Sequence, residues 1–360
     1  AHAEDDAGQL SNVRRIGHAL PLTVHLRTHA NDEAWSLLSH RLLGADVAPL
    51  RVGFACLGPK RDNFRLESKR RVYRWVPPRH EPFPGIRDAD SLGAFFGVEY
   101  ADQDVLRRTH AAAVERDVDL LIYPELCFGE TAELQVRRDF VASPRRSRPQ
   151  LLVLGSRHVA DDGARRRNSL AALGRTGALQ GAASQFAHDK IGTFGFRDGS
   201  CYYVEDISRS RRLTALDVEG LQIVMLICKD VLQQTTLDTI AALAPQRLIV
   251  VAMSDKTEEF VHHFCEFAAR YNTTTFFSCF SAAGETTAGV FGPGKHFTAV
   301  LLKNAAASRP AASPTPFPGS IRVDPQTVDR PCLAVIELPV EARGDDALGH
   351  SHSWFEISHV

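Results

Sequence analysis

The 360-residue sequence has almost no net charge, no long apolar run and no regular cysteine pattern, and each absence excludes a class of protein. The formal net charge is −1 at pH 7, which gives no reason to expect nucleic acid or an anionic membrane as a partner. No apolar run approaches the roughly 18 residues of a membrane helix, and no secretory signal pattern is found. We therefore expect a cytoplasmic protein without a membrane partner.

The seven cysteines are irregularly spaced and include no CxxC pair. Disulfide frameworks and zinc sites show paired spacings, so we predict neither, and we expect no metal and no cofactor. This cysteine usage fits a reducing compartment. The first residue is alanine rather than methionine, so we expect a processed form, a fragment or a domain cut from a longer protein.

Apolar periodicity divides the chain into three parts. Residues 1–48 are polar, and the apolar spacing within 32–44 predicts a helix, so we interpret this part as a helical N-terminal appendage. Residues 49–340 alternate strands with helices, which predicts an α/β sandwich. Inside that domain, the proline-rich residues 59–100 are interpreted as an irregular surface insertion. Residues 341–360 are interpreted as a C-terminal tail.

Three polar residues each follow an apolar run that reads as a buried strand. Glu125 follows LLIYP, Lys190 follows SQFAHD, and Cys228 ends the run LQIVMLI. Alone, each residue has an ordinary structural interpretation, since cysteine is often a small core residue and charged side chains are usually solvated. Together they form a complete chemical set: a thiolate nucleophile, a carboxylate that moves protons and an ammonium that stabilises an oxyanion. The set predicts acyl transfer through a thioester.

The segments that carry these residues resemble the Glu, Lys and Cys motifs of the nitrilase, or carbon–nitrogen hydrolase, superfamily. They are Pro124-Glu125, HDKIGTFG (188–195) and LICKD (226–230), and the resemblance extends over about residues 48 to 340. It implies an αββα four-layer sandwich and hydrolysis of a non-peptide amide or nitrile through a thioester or thioimidate. It also implies a homodimer or higher homo-oligomer.

Two further residues are candidates for auxiliary roles. Many members of the superfamily carry a second glutamate between the lysine and the cysteine, and Glu205 in YYVEDI is the best-placed residue here, with a surface position as the alternative. Lys229 departs from the family pattern, in which another residue type follows the cysteine. A cation beside a thiol lowers its pKa, so we expect Cys228 to react fastest with iodoacetamide among the seven cysteines.

Two other functions stay open. The chain is alternatively a nitrilase-fold sensor or assembly module of a larger protein, since family members occur fused to other modules, including proteins of phage defence. In the other alternative the thioester forms, but an amine rather than water accepts the acyl group. The sequence does not distinguish these functions from hydrolysis.

The neighbouring residues His262, His263 and Cys265 invite a metal or protease interpretation. No HExxH or paired CxxC accompanies them, so we interpret the segment as a partly buried helix. The segment FGPGKHF (291–297) lacks the spacing of a phosphate loop and is interpreted as a turn before a strand.

Overall fold

The computed structural model describes most of the central part of the chain and shorter pieces of its ends. The described residues are 22–28, 50–57, 64–74, 91–143, 149–160, 166–175, 183–218, 221–254, 256–280, 286–292, 300–301, 321–322, 331–338 and 354–359. Within these segments, no helix has the length and apolar character needed to cross a membrane.

The described elements are mostly strands, with few helices. The strands are β1 (Thr23–Thr28), β2 (Leu50–Cys56), β3 (Phe64–Arg74), β4 (Ser91–Tyr100), β5 (Leu120–Ile122), β6 (Leu151–Ala160), β7 (Arg166–Arg175), β8 (Ala183–Asp189), β9 (Gly195–Asp198), β10 (Cys201–Glu205), β11 (Arg212–Val218), β12 (Leu221–Ile227), β13 (Arg247–Met253), β14 (Thr274–Phe280), β15 (Thr286–Phe291), β16 (Val300–Leu301), β17 (Ile321–Arg322), β18 (Cys332–Leu338) and β19 (Trp354–His359). The helices are α1 (Gln103–Glu115), α2 (Glu130–Ala142), α3 (Gln234–Leu243) and α4 (Glu258–Tyr271), with a short 3₁₀ turn at Cys228–Leu232.

Two large sheets form the body of the protein. The six-stranded sheet has the order β1-β11-β12-β13-β14-β15, and the seven-stranded sheet has the order β19-β18-β2-β5-β6-β7-β8. A four-stranded sheet, β3-β4-β10-β9, and a two-stranded sheet, β16-β17, complete the described strands. In the six-stranded sheet, β12, β13 and β14 run parallel, and the near-continuous apolar sequences of β12 and β13 are typical of strands buried on both faces.

The alternation of side chains along β5 divides the core. Leu120 and Ile122 belong to a core that the two large sheets share, whereas Leu121 and Tyr123 belong to a second core with α1 and α2. Successive side chains of a strand point to opposite faces, so α1 and α2 cover the outer face of the seven-stranded sheet. The hydroxyl of Tyr123 donates to the carbonyl oxygen of Leu106 in α1 at 2.7 Å, which satisfies its buried polar atom.

Helix α4 packs on the six-stranded sheet through phenylalanines spaced four residues apart. Phe260 and Phe264 are buried, and the Phe264 ring centroid lies 5.0 Å from that of Phe277 on β14 and 5.3 Å from that of Phe291 on β15. Residues four apart lie on one face of a helix, so this face binds the sheet. The apolar spacing had predicted α1, α3 and α4, and the structure confirms these helices.

Residues 59–100 differ from the predicted irregular insertion. They contain β3 and β4, which pair antiparallel, and β4 also pairs parallel with β10. The sequence did not predict β3 because most of its side chains, including Leu66, Arg70 and Val72, are exposed. A strand with no buried face has no alternation to recognise.

The ends of the chain also add strands that the sequence did not reveal. β1 lies inside the predicted helical appendage, yet it pairs parallel with β11 in the six-stranded sheet. β19 lies inside the predicted tail and pairs antiparallel with β18. The β1 pairing joins residues that are far apart in the sequence, so local periodicity carries no signal for it, whereas β19 is the next described strand after β18. The helix predicted at 32–44 lies outside the described residues.

Candidate active site

Glu125 lies just beyond the carboxyl end of β5, as predicted, and its side chain is buried at 1% exposure. Its Oε1 accepts hydrogen bonds from Lys190 Nζ at 2.6 Å and Asn168 Nδ2 at 3.0 Å, and its Oε2 accepts from the backbone N–H of Met253 at 2.8 Å. Gly155 on β6 lets the chain before Glu125 pass close by: its φ is +65°, and a Cβ there would overlap the carbonyl oxygen of Pro124. Three donors therefore fix the carboxyl group in place.

Lys190 follows β8 directly, and its ammonium bridges two buried carboxylates. Nζ lies 2.6 Å from Oε1 of Glu125 and 2.7 Å from Oε2 of Glu205, and all three side chains are essentially inaccessible to solvent. Burial acts to lower the pKa of Lys190, but the two carboxylates raise it well above its ordinary value. The amine is therefore a fixed positive charge at any ordinary pH.

Cys228 follows β12 and is the first residue of the 3₁₀ turn. Its φ is +47°, in the left-handed region that residues other than glycine rarely adopt. Sγ lies 3.8 Å from the carbonyl oxygen of Met253, the residue whose N–H binds Glu125. The strand therefore ends in a strained turn that places the thiol beside the carboxyl–ammonium pair.

The expected fast reaction of Cys228 with iodoacetamide stays a prediction, and the burial of the thiol argues against it. Burial and the Glu125 carboxylate raise the pKa of Cys228 well above its ordinary value, and Lys190 only partly opposes them. Lys229, which was expected to lower this pKa, is not among its largest influences. Cys265 is the only exposed cysteine of the seven.

Glu205 lies at the end of β10 and is buried, so the alternative of a surface position is wrong. Its Oε2 accepts from Lys190 Nζ at 2.7 Å and from the backbone N–H of Phe194 at 3.1 Å. Its Oε1 binds Asn168 Nδ2 at 2.7 Å and His158 Nε2 at 3.0 Å. Burial acts to raise the pKa of Glu205, but Lys190 and His158 outweigh it and lower the pKa to about 2.

The two glutamates therefore have opposite electrostatic properties. Burial is the largest influence on the pKa of Glu125 and raises it above its ordinary value, while Lys190 acts against the rise and Glu205 adds to it. Glu205 stays ionised, whereas Glu125 binds a proton more readily. Environments that push two acids apart in this way are typical of acid–base catalysis, in which one group exchanges protons and the other holds charge.

Asn168 and His158 were missed by the sequence analysis. Nδ2 of Asn168 donates to Oε1 of both Glu125 and Glu205, so this amide spans the two carboxylates. His158 binds the far side of Glu205. Asn168 lies at the start of the apolar strand RNSLAALG, and a buried polar residue there could have been noticed. The sequence holds no comparable signal for His158.

Asp230 and His188 hold the cysteine turn and the lysine segment together. Oδ1 of Asp230 accepts from the backbone N–H groups of Ile191 and Gly192 at 2.7 and 2.8 Å. Oδ2 accepts from the N–H of Ile227 at 3.1 Å and contacts Nε2 of His188 at 2.9 Å. One buried carboxylate thus fixes the segments that carry both Lys190 and Cys228.

Lys229 lies at the edge of the site. Its ammonium sits over the ring of Phe194, 5.8 Å from the centroid. A cation at this distance from a ring face is attracted by it. The structure therefore brings Lys229 to an aromatic side chain whose backbone N–H donates to Glu205.

The histidines of α4 have ordinary helix contacts. The His263 ring stacks on Phe267 with centroids 6.2 Å apart, and its Nδ1 lies 3.7 Å from Oε2 of Glu266. Among the residues that the structure describes, no group of three or more His, Cys, Asp and Glu side chains is arranged to hold a metal ion.

Comparison with known proteins gives similarity at the level of structure. No protein-family model matches the sequence, and no curated protein sequence matches it. Among solved structures, the chain is similar to an amidase from Nesterenkonia sp., with a TM-score of 0.47 and 14% identity over 82% of this chain and 92% of that chain. A mutant of the Nesterenkonia AN1 amidase from the nitrilase superfamily gives a TM-score of 0.47 and 16% identity over the same shares.

A further mutant of that amidase, with the acetamide moiety of fluoroacetamide covalently added at its active-site cysteine, gives a TM-score of 0.47 and 14% identity over 82% of this chain and 92% of that chain. These amidases belong to the superfamily that the motifs of the sequence resemble.

Proposed function

We propose that the protein is a thiol-dependent carbon–nitrogen hydrolase that acts on a non-peptide amide or nitrile. The observation that carries this proposal is the convergence of three strand-end residues: Lys190 Nζ lies 2.6 Å from Glu125, and Met253 contacts both Glu125 and the buried thiol of Cys228. In this proposal Cys228 is the nucleophile, Glu125 the general base and Lys190 the oxyanion stabiliser. Glu205 anchors the ammonium.

For an amide, the reaction begins when Sγ of Cys228 bonds to the carbonyl carbon while Glu125 takes the thiol proton. The raised pKa of Glu125 suits a group that must both accept and release a proton. The C–N bond then breaks, and the leaving amine takes the proton from Glu125. Water, deprotonated by Glu125, bonds to the acyl carbon, the S–C bond breaks and the thiol regains its proton.

The oxyanion of each tetrahedral intermediate needs donors in a dry site. Lys190 supplies a fixed positive charge, and the backbone N–H groups near Lys229 are the proposed partners. A preorganised donor of this kind contributes about a hundredfold or more in rate. Because Glu205 keeps its charge, it holds Lys190 in position when Glu125 changes its protonation state.

The arrangement of layers supports a four-layer αββα sandwich, since α1 and α2 pack outside one large sheet and α4 outside the other. We further propose a homodimer or higher homo-oligomer in the cytoplasm. Light scattering at micromolar concentration tests the assembly, and a monomer there would contradict it.

Two alternative functions would use the same buried thiol of Cys228. In a sensor or assembly module of a larger protein, the thiol would capture a ligand and hold it. An acyltransferase would use the same thioester and pass the acyl group to an amine. The three functions differ in the fate of the thioester: release to water, persistence, or transfer.

Intact-mass spectrometry with a library of small amides and nitriles tests the proposal. We expect acyl adducts on Cys228 that form and then disappear as free acid accumulates. Cys228→Ala is the control and should form neither adduct nor acid while it keeps its fold. An adduct that persists supports capture, and an adduct lost only when an amine is added supports transfer. The absence of any adduct across the library would overturn the thioester chemistry.

A further inference from the structure

Four aromatic side chains pack together beside the proposed triad. They belong to the four-stranded sheet, which we call the small sheet, and to the segment that leads into β9. They are Phe95 on β4, Phe194 just before β9, Phe196 on β9 and Tyr203 on β10, which we call the aromatic cluster. Ring centroids lie 5.1 Å apart for Phe95 and Phe196, 5.6 Å for Phe196 and Tyr203, and 6.3 Å for Phe194 and each of Phe95 and Phe196. Phe95 is buried, whereas the other three rings are half-buried.

The aromatic cluster adjoins the reacting groups on two sides. Leu126, next to Glu125, and Met253, which contacts both Glu125 and Cys228, belong to the same apolar cluster as the four rings. The backbone N–H of Phe194 donates to Glu205. The Phe194 ring also lies under the ammonium of Lys229, the residue after the nucleophile.

We propose that the aromatic cluster is the wall that binds the acyl part of the substrate, and that the substrate is an amide of an apolar, aryl-bearing carboxylic acid. The inference rests on the proposed function and names its substrate class. Lys69 lies over the rings of Phe196 and Tyr203, and Lys229 lies over that of Phe194. A flat apolar acyl group would cover the ring surface that these lysines leave exposed and remove it from water. Rings also pack on one another with geometric preference, in offset or edge-to-face contacts. A short acyl group such as acetyl would leave the wall uncovered.

The wall lies next to Glu125, Glu205 and the 3₁₀ turn of Cys228, and this position explains how the enzyme would select among acyl groups. When an acyl group contacts Phe194 and Leu126, its carbonyl carbon is held near the thiol of Cys228. Substrates that reach the wall are therefore positioned for acylation, whereas shorter ones are not. We expect a preference of about tenfold or more, which is the range that apolar pockets provide.

The test compares phenylacetamide with acetamide in two measurements. The first is the rate of Cys228 acylation by intact mass in the wild-type protein, and the second is binding to the Cys228→Ala variant by calorimetry. We expect phenylacetamide to acylate at least about tenfold faster and to bind more tightly than acetamide. Equal or faster acylation by acetamide, or no binding preference, would overturn the inference.

Two matched phenylalanine variants locate the effect. Phe194→Ala removes a ring of the wall and should reduce the preference for phenylacetamide to within about threefold of acetamide. Phe96→Ala removes a half-buried ring from the opposite face of β4 and should leave the preference unchanged, because neighbouring side chains of a strand point to opposite faces. Loss of the preference in Phe96→Ala, or its retention in Phe194→Ala, would contradict the assignment.

The two measurements separate this inference from the proposed function. Tight binding of phenylacetamide to Cys228→Ala, without any acyl adduct on the wild-type protein, would support the wall and sink the thioester chemistry. Adducts that form equally well from both amides would support the thioester chemistry and contradict the wall.

Discussion

Nε2 of His158 lies 3.0 Å from Oε1 of Glu205 at the centre of the protein. Nδ1 of the same ring accepts the backbone N–H of Gly97 on β4 at 2.8 Å. A ring nitrogen that accepts an N–H bond carries no proton, so Nε2 carries it and donates to the carboxylate. Through one histidine ring on β6, the seven-stranded sheet is therefore hydrogen-bonded to two strands of the four-stranded sheet, to Gly97 on β4 and to Glu205 on β10.

His158 is predicted to position Glu205. His158→Ala should lower kcat/KM by about ten- to a hundredfold, the effect of a small displacement in a catalytic site. His158→Gln should recover much of that loss, since an amide can both accept from Gly97 and donate to Glu205. Steady-state kinetics on both variants is the measurement. If Gln is no better than Ala while both melt at the wild-type temperature, the hydrogen bonds are not what matters.

Iodoacetamide should label Cys265 before Cys228 in the resting protein. Cys265 is exposed, whereas Cys228 is buried with a raised pKa, and the thiolate is the reactive form. Peptide mapping at short reaction times gives the order. The Cys265→Ser variant, which lacks the exposed thiol, should show only slow labelling. Rapid labelling of Cys228 would mean that its site is open and its thiol activated.

Glu205 should make stability depend on acid pH. The unfolded glutamate binds its proton near the ordinary pKa of 4.5, but the folded one only near 2. Between these values the unfolded chain binds more protons, so the contribution of Glu205 to stability, complete above the ordinary pKa, is lost as the pH falls. Urea unfolding across this range should show a shallower loss in Glu205→Gln than in the wild-type protein. Parallel curves would assign the acid sensitivity to other groups.

Lys190 should be required for both activity and stability. Lys190→Met removes the proposed oxyanion donor, which should lower turnover about a hundredfold or more. It also leaves two buried carboxylates without their cation, which typically costs about 3–5 kcal/mol of stability. The double variant Lys190→Met with Glu205→Gln should regain part of the stability but none of the turnover. Recovery of turnover in the double variant would contradict the oxyanion role.

Glu125→Gln and Glu125→Asp should both be severely impaired in turnover. Gln keeps the reach but cannot accept the thiol proton, and Asp shortens the reach by one methylene. Every oxygen of Glu125 accepts from a donor, so the amide nitrogen of Gln would face an N–H group, and its melting temperature should fall. Turnover and melting temperature are measured on the same two proteins. Near-normal turnover in Gln would make Glu125 a structural partner of Lys190.

The sequence revealed the part of the site that strands deliver at their ends. Glu125, Lys190 and Cys228 each follow an apolar run, and the pattern of such runs is local. The positions of His158 and Gly97 are not local, because their contact depends on how the small sheet docks against the body of the protein. The pKa of Cys228 could not be read from the neighbouring lysine either, since burial outweighs sequence proximity.

The left-handed backbone of Cys228 limits how the thermal stability of the protein can be increased. A side chain at φ +47° is strained, with a typical cost of about 1–3 kcal/mol, and glycine alone adopts that conformation freely. Selection for thermal tolerance alone would therefore favour glycine at this position, and glycine has no thiol. Stability and reactivity are opposed at one residue, so a more heat-resistant version of this protein has to gain its free energy elsewhere.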